Sequence, residues 1–238
     1  MNSNDKTLII IPAYNEEGSI AKVITEIQQI DTPVDILVVN DGSKDRTAEV
    51  ATSCGVAVLS APYNQGIGAT VQTGFKYAAR SGYDYAIQLD GDGQHIAAEI
   101  PKILSVAQAG EADMVIGSRY IGEKTYKTPL MRRLGMLIIS TVNSLVTGQK
   151  VTDNTSGFRA FNKSVINYLA NYYPSDYPEP EVVVILSRKK FKIKEVPVQM
   201  RFRESGESSI SSIKSIYYMI KVLLAIFVDL FKSYPDKK

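Results

Sequence analysis

Short apolar runs alternate with helical-period stretches along the first half of the chain. Leu8-Ile9-Ile10-Ile11 is uninterrupted, as expected of a strand covered on both faces. It stops at Pro12, and Asn15-Glu16-Glu17-Gly18-Ser19 leads into a stretch with Ile20, Val23, Ile24 and Ile27 at helical spacing. A second run, Ile36-Leu37-Val38-Val39, follows Pro33 and ends in Asn40-Asp41-Gly42-Ser43, where Ser43 or Asp45 can cap the next helix. The pattern continues with strands predicted at Val56–Leu59, Tyr85–Leu89 and Met114–Gly117, and helices at Gly66–Ala79 and Ala97–Ala107. Alternation of this kind predicts a doubly wound, mostly parallel α/β sheet. Ligands of such sheets bind beyond the carboxyl ends of the strands, where strand order reverses.

Composition narrows the class. At 238 residues with 45% hydrophobic and 22% charged content, the chain has enough apolar material for one sizeable α/β core. A net charge of +2 gives no electrostatic case for nucleic acid. Cys54 is the only cysteine, which rules out an internal disulfide and suits a reducing compartment. Met1–Lys6 is polar, and the four apolar residues after Thr7 are too few for a signal peptide's apolar region. A cytoplasmic location is therefore expected.

Three predicted strand ends carry polar punctuation: Pro12–Glu16, Asn40–Ser43 and Asp90-Gly91-Asp92. In the last, a glycine turn after a strand relaxes the usual alternation, so both carboxylates can face one hard cation with room left for substrate phosphates. An isolated Asp-Gly-Asp is as readily a surface turn; three such ends on one rim favour a nucleotide-plus-metal pocket. Asn64–Ala69 lacks the third glycine and the following acidic residue of a dinucleotide turn. Gly66 and Gly68 are thus read as permitting close helix packing beside the pocket. His95, the single histidine, follows the carboxylates directly, a place suited to a local supporting role.

Taken in order, the motifs resemble those of family 2 glycosyltransferases of the dolichyl/undecaprenyl-phosphate sugar synthase type. The resemblance spans about Thr7 to Ser209. It rests on Ile11–Glu17, Asn40–Ser43 with Asp45, Asp90–His95, Gly117–Tyr120, Asp153–Arg159 and Arg203–Ser208. It implies a Rossmann-like GT-A fold, inversion at the anomeric carbon and a nucleotide-diphosphate sugar donor, UDP- in preference to GDP-. The implied acceptor is a polyprenyl (undecaprenyl) phosphate. By position, Pro12, Ala13, Tyr14, Glu16, Asp41 and Asp90 match the family's donor-binding residues. Asp90, Asp92 and Gln94 match the set holding Mg²⁺ or Mn²⁺, and Arg119, Arg132 and Arg203 the set gathering donor and acceptor phosphates. Asp92, Arg119, Arg203 and Asp153 are the catalytic candidates. Asp153 either acts as base or acceptor-orienting group, or caps the turn that aims Thr155, Ser156 and Arg159. Some relatives have a serine four residues after the second arginine, where this chain has Met136.

The chemistry agrees with these roles. A divalent ion stabilises a departing diphosphate, guanidinium forks suit phosphates, and a lipid phosphate is already anionic and needs positioning more than deprotonation. The absence of tryptophan disfavours the processive polysaccharide synthases, whose signature ends in that residue. Transfer to a protein or saccharide hydroxyl is the alternative within the superfamily. A sugar-phosphate nucleotidyltransferase is a weaker one, because Ile11–Gly18 holds one glycine where that class is glycine-rich.

In the second half, Leu130–Thr147 reads as an apolar-faced helix opening with Arg132 and Arg133. Ile185–Lys194 carries five basic residues that form either a solvated face or a contact for anionic lipid. Glu179 and Glu181 either reach a sugar or open the next helix. Residues 1–209 are expected to form the catalytic domain, and 210–238 a C-terminal amphipathic helix lying at the membrane interface. Its longest clean apolar stretch, Val222–Val228, is far below the roughly 20 residues of a spanning helix. The expected location is therefore peripheral, on the inner membrane face. A small membrane-protein partner or homo-oligomer would strengthen the attachment.

Overall fold

The computed structural model describes residues 5–121, 140–144, 148, 151–201, 221–228 and 231–232. Arg132, Arg203, most of the predicted helix at 130–147 and the proposed boundary near residue 209 lie outside them. The strands are β1 (Thr7–Ala13), β2 (Asp35–Asn40), β3 (Ala57–Ser60), β4 (Tyr85–Gln88), β5 (Met114–Ser118), β6 (Arg159–Asn162) and β7 (Ile193–Pro197). The helices are α1 (Ile20–Gln28), α2 (Thr47–Ser53), α3 (Ile67–Arg80), α4 (Ile100–Gln108), α5 (Lys163–Asn171) and α6 (Pro178–Arg188).

The strands form one seven-stranded sheet in the order β3-β2-β1-β4-β6-β5-β7. Only β6 runs antiparallel to its neighbours. Strand β1 shows how the sequence separates the layers. Leu8 and Ile10 pack with α3, α5 and α6 on one face, while Ile9, Ile11 and Ala13 pack with α1, α2 and α4 on the other. All are buried, so the unbroken apolar run reflects coverage of both faces. Gly74 lets α3 lie directly against Ile10.

The first five strands and four helices fall where the hydrophobic pattern puts them. The later elements do not announce themselves. Strand β6 is Arg-Ala-Phe-Asn, too short and polar for an apolar-run reading, and it is strand because β4 and β5 flank it. Strand β7 is Ile-Lys-Glu-Val-Pro at the sheet edge, where charge and proline discourage further pairing. Part of the basic run is thus an edge strand. Glu181 opens α6, its carboxylate accepting the Tyr177 N–H at 2.9 Å.

Helical residues 221–228 dock through Val222 and Ile226 onto Val184 of α6, with Val142 and Tyr177 alongside. Their outer side exposes Leu224, Phe227 and Val228, and Phe231 continues it; the Phe227 and Phe231 rings lie 5.0 Å apart. No helix among the described residues is long and apolar enough to cross a membrane.

Candidate functional site

Chain order reverses about β1, which has β2 on one side and β4 on the other. The loops leaving β1 and β4 therefore part above the sheet and leave a crevice. Ladder bonds running past the strand ends set its walls. The Asp41 N–H donates to Ala13 O at 2.9 Å, and the Leu89 N–H donates to Ile10 O at 3.1 Å. Asp41 and Asp90 each follow one of these pinned residues or are themselves pinned. The cleft, about 380 Å³, is lined by Pro12, Ala13, Tyr14, Glu16, Asp41, Asp90 and Asp92, all predicted site residues. Asn64, Gly66, Ile67 and Thr70 at the start of α3 complete the wall, and the sequence reading had not placed them there as ligands.

The first two loops are stitched together by reciprocal bonds. Asn15 N–H donates to Ser43 Oγ at 3.0 Å, and Asn15 Oδ1 accepts from Lys44 N–H at 2.9 Å. Glu16 N–H meets Thr47 Oγ1 at 2.8 Å, and Glu17 N–H meets Asp45 at 3.1 Å. Asn15 adopts φ +56°, a conformation asparagine tolerates better than most residues. Burial raises the Asp45 carboxyl, but the Thr47 hydroxyl and the Thr47 and Glu17 N–H groups outweigh it and hold the group below its ordinary value. Ser19 Oγ lies 2.7 Å from Glu16 Oε2 and 2.8 Å from Gly91 O, linking this loop to the carboxylate loop.

Asp41 is nearly buried and takes the Gln65 and Gly66 N–H groups on separate oxygens, at 2.7 and 3.0 Å. Its carboxylate thus ties the end of β2 to the turn that leads into α3. Gly66 at φ +90° shapes the turn, and a side chain at Gly68 would strike the carbonyls of Pro174 and Ser175. The packing role expected of both glycines holds at Gly68 alone; an added Cβ at Gly66 would meet no atom, and Gly66 instead supplies the turn and lines the cleft.

Asp90 lines the cleft with its side chain 40% exposed. Burial alone would raise its carboxyl, but the His95 hydrogen bond and the charges of His95, Arg119 and Arg159 hold it below the usual range. With Asp90 ionised, His95 Nε2–H is the donor, at 3.1 Å from Oδ2. The imidazole is buried, its ring centroid 5.2 Å from that of Phe158, and Nδ1 has no partner among the described residues. Asp92 Oδ1 accepts the Gln94 N–H at 3.0 Å. Gln94 itself does not line the cleft; its carbonyl accepts the Arg201 N–H at 2.8 Å. Two carboxylates in an open cleft, with no third acidic, histidine or cysteine ligand clustered among the described residues, fit Mg²⁺ or Mn²⁺. Such ions retain waters and bind substrate phosphates through few protein ligands.

Arg119, just past β5, is held by Asp153. Its backbone N–H and Nε donate to Oδ2 at 3.0 and 2.7 Å, and Nη2 donates to Oδ1 at 2.6 Å and to Thr155 at 2.9 Å. The two side chains are 9% and 0% exposed. Glu195 of β7 in turn accepts the Thr152 and Asp153 N–H groups at 2.8 and 2.7 Å. The Asp153 carboxylate is sealed and committed to the Arg119 guanidinium and backbone N–H rather than to the turn at Thr155–Arg159. Arg159 is also buried, donating to the Ser156 and Asn154 carbonyls at 2.8 and 3.0 Å. Burial lowers its pKa, and Glu179, Tyr173, Asp153 and Asp90 oppose that change. Glu179 is half-buried, and burial raises its carboxyl against the pull of Arg159.

Comparison with known proteins bears on the chemistry. The family model described as glycosyl transferase family 2 matches residues 8–169. A UDP-N-acetylglucosamine–dolichyl-phosphate N-acetylglucosaminyltransferase of Methanococcus voltae is 30% identical, covering 93% of this chain and 97% of its own. A polyprenol monophosphomannose synthase of Mycolicibacterium smegmatis is 31% identical, covering 91% and 85% respectively. Among solved structures, glucosyl-3-phosphoglycerate synthase from Mycobacterium tuberculosis, in complex with Mn²⁺, UDP-glucose and phosphoglyceric acid, superposes with a TM-score of 0.74. It is 20% identical, with 94% of this chain and 80% of that chain covered, a likeness of fold.

Proposed function

The chain belongs to glycosyl transferase family 2 and is a glycosyltransferase; from that premise we propose that it moves a hexose or N-acetylhexosamine from a nucleotide diphosphate to a polyprenyl phosphate, with inversion. The observation that carries the reading is the cleft at the chain reversal, where Pro12, Tyr14, Asp41, Asp90 and Asp92 converge. Related sugar transferases named for dolichyl-phosphate and polyprenol acceptors support the acceptor class.

In this reading Pro12, Ala13, Tyr14, Glu16 and Asp41 seat the nucleoside. Each Asp41 oxygen keeps acceptor capacity after its backbone bond. Asp90 and Asp92 would hold Mg²⁺ or Mn²⁺ against the donor diphosphate; Gln94 is a further candidate. The ion supplies Lewis-acid stabilisation of the leaving diphosphate. Arg119, fixed by Asp153, presents a cation whose charge already reaches Asp90. Arg132 and Arg203 are proposed as further phosphate contacts. An acceptor phosphate oxygen bonds to the anomeric carbon as the carbon–oxygen bond to the diphosphate breaks, releasing the nucleoside diphosphate. The attacking oxygen is anionic, so no base is required and positioning is the main contribution.

A lipid acceptor used together with a nucleotide-sugar donor supports a peripheral seat on the inner membrane face. The exposed Leu224, Phe227, Val228 and Phe231 suit an interfacial seat, with residues 210–238 as the attaching segment. Arg188 donates to Lys232 O at 3.3 Å, so the basic turn at the end of α6 adjoins this apolar face and suits an anionic surface.

The test is incubation of membranes containing the enzyme with radiolabelled UDP- and GDP-sugars in Mn²⁺, followed by organic extraction. Lipid-soluble label is expected with wild type, lost with Asp92→Ala and with chelator. Label confined to soluble glycan or protein would overturn the acceptor assignment.

A further inference from the structure

The loop from Asn154 to Gly157 approaches the Asp90 carboxylate more closely than a side chain at position 157 would allow without moving it. A Cβ added to Gly157 would lie 2.6 Å from both carboxylate oxygens of Asp90 and 2.9 Å from its Cγ, and these are its three nearest neighbours. Gly157 is not among the glycines with positive φ. An alanine can therefore adopt its backbone conformation, and space alone excludes one. On the other side of the carboxylate, His95 Nε2–H holds Oδ2 at 3.1 Å. Asp90 is thus held between a hydrogen bond and a bare Cα.

The loop has little freedom to retreat. Arg159 fastens it from below through the carbonyls of Asn154 and Ser156. Ser156 Oγ donates to Gly117 O at 2.7 Å, and Asn143 Nδ2 donates to Asn154 Oδ1 at 2.6 Å. All four of these loop-fixing residues, Asn143, Asn154, Ser156 and Arg159, are buried. A steric demand at position 157 falls on the short Asp90 side chain before it falls on the backbone.

We propose that Gly157 is a positioning residue that sets where the Asp90 carboxylate stands; its effect on the metal rests on the reading of Asp90 and Asp92 given above. The size of the effect follows from contact distances. A carbon and an oxygen meet at about 3.3 Å, so a methyl at 2.6 Å would displace the carboxylate by roughly 0.7 Å. Metal–ligand distances in well-formed sites keep to within about 0.2 Å of standard values, and Mg²⁺ demands nearer-ideal geometry than Ca²⁺. Shifts imposed on a ligand by its supporting residues typically cost about 10–100-fold in metal affinity.

The experiment is Mn²⁺ titration of purified Gly157→Ala, followed by the resonance of free Mn²⁺, with and without UDP. Thermal melting is measured in parallel, and Gly74→Ala serves as a control whose added methyl meets Ile10 in the core. Gly157→Ala is expected to bind Mn²⁺ about 10–100-fold more weakly than wild type while still melting cooperatively. Gly74→Ala should melt lower and bind Mn²⁺ normally. If Gly157→Ala does not fold, the same change in an Asp90→Ala background must fold and melt with its parent, because the obstructing carboxylate is gone. A folded Gly157→Ala with unchanged affinity, or a failed double variant, overturns the assignment alone. Wild-type protein that binds no Mn²⁺ under either condition overturns the metal reading itself, and with it the proposed effect on metal binding.

Discussion

Replacing Asp153 with asparagine separates two readings of that residue by their energetic signatures. The substitution keeps the volume and one acceptor oxygen but removes the charge. It also sets an NH₂ group where a carboxylate oxygen now receives Arg119. With the pair 9% and 0% exposed, water cannot replace what is lost, and the guanidinium stays behind without its counter-charge. Breaking a buried pair from one side costs about 3–5 kcal/mol. At roughly 2–4 °C per kcal/mol for a chain of this size, the melting temperature should fall by about 6–20 °C. Urea denaturation of Asp153→Asn, Arg119→Met and the double variant provides the assay. The double variant should recover much of the loss, because the stranded charge is removed with its partner. Turnover of Asp153→Asn should fall alongside that of Arg119→Met, since one residue acts through the other. A variant within about 1 kcal/mol of wild type, yet inactive and with a displaced pH–rate profile, would refute this reasoning and make Asp153 a base.

Three further outcomes are expected. Gly68→Ala forces a methyl to 2.5 Å from the Pro174 and Ser175 carbonyls, which are backbone atoms; overpacking of about 1–3 kcal/mol should appear as a lowered melting temperature. Asp84 is held below its ordinary value first by its Lys163 hydrogen bond and then by the Lys6 N–H. The resulting stabilisation is complete above the unfolded carboxyl pKa, near 4, and disappears as pH falls through the lower folded value. Lys163→Met should therefore lower stability by up to about 1 kcal/mol at pH 6 and converge with wild type near pH 2, as read from melting curves across that range. Changing Leu224, Phe227 and Phe231 together to serine should cut sedimentation with anionic vesicles at least about tenfold, leaving the melting temperature nearly unchanged because these side chains face outward. Equal sedimentation would remove this face from the membrane-binding account.

The cleft was open to sequence reading because each of its acidic groups follows a strand whose apolar run is unmistakable. Pro12, Asn40 and Asp90 punctuate three such runs, and a parallel sheet delivers strand ends to one rim. The half of the sheet beyond β4 was less open. Strand β6 is recognisable only by its neighbours, and the basic run that became part of β7 looks like any solvated surface. The pairing of Asp153 with Arg119, 34 positions apart, has no signature in the spacing of the chain.

The order of apolar and polar residues alone determined the wound α/β sheet, the coverage of β1 on both faces, and the rim that carries the carboxylates. Those properties depend on local periodicity, which is written into neighbouring residues. Tertiary structure alone decided that Asp41 fastens the turn before α3, that Asp153 is sealed against Arg119, and that Gly157 faces the Asp90 carboxylate. Each of these depends on two segments distant in sequence meeting at atomic contact, and the spacing along a single chain does not encode the distance between them in space.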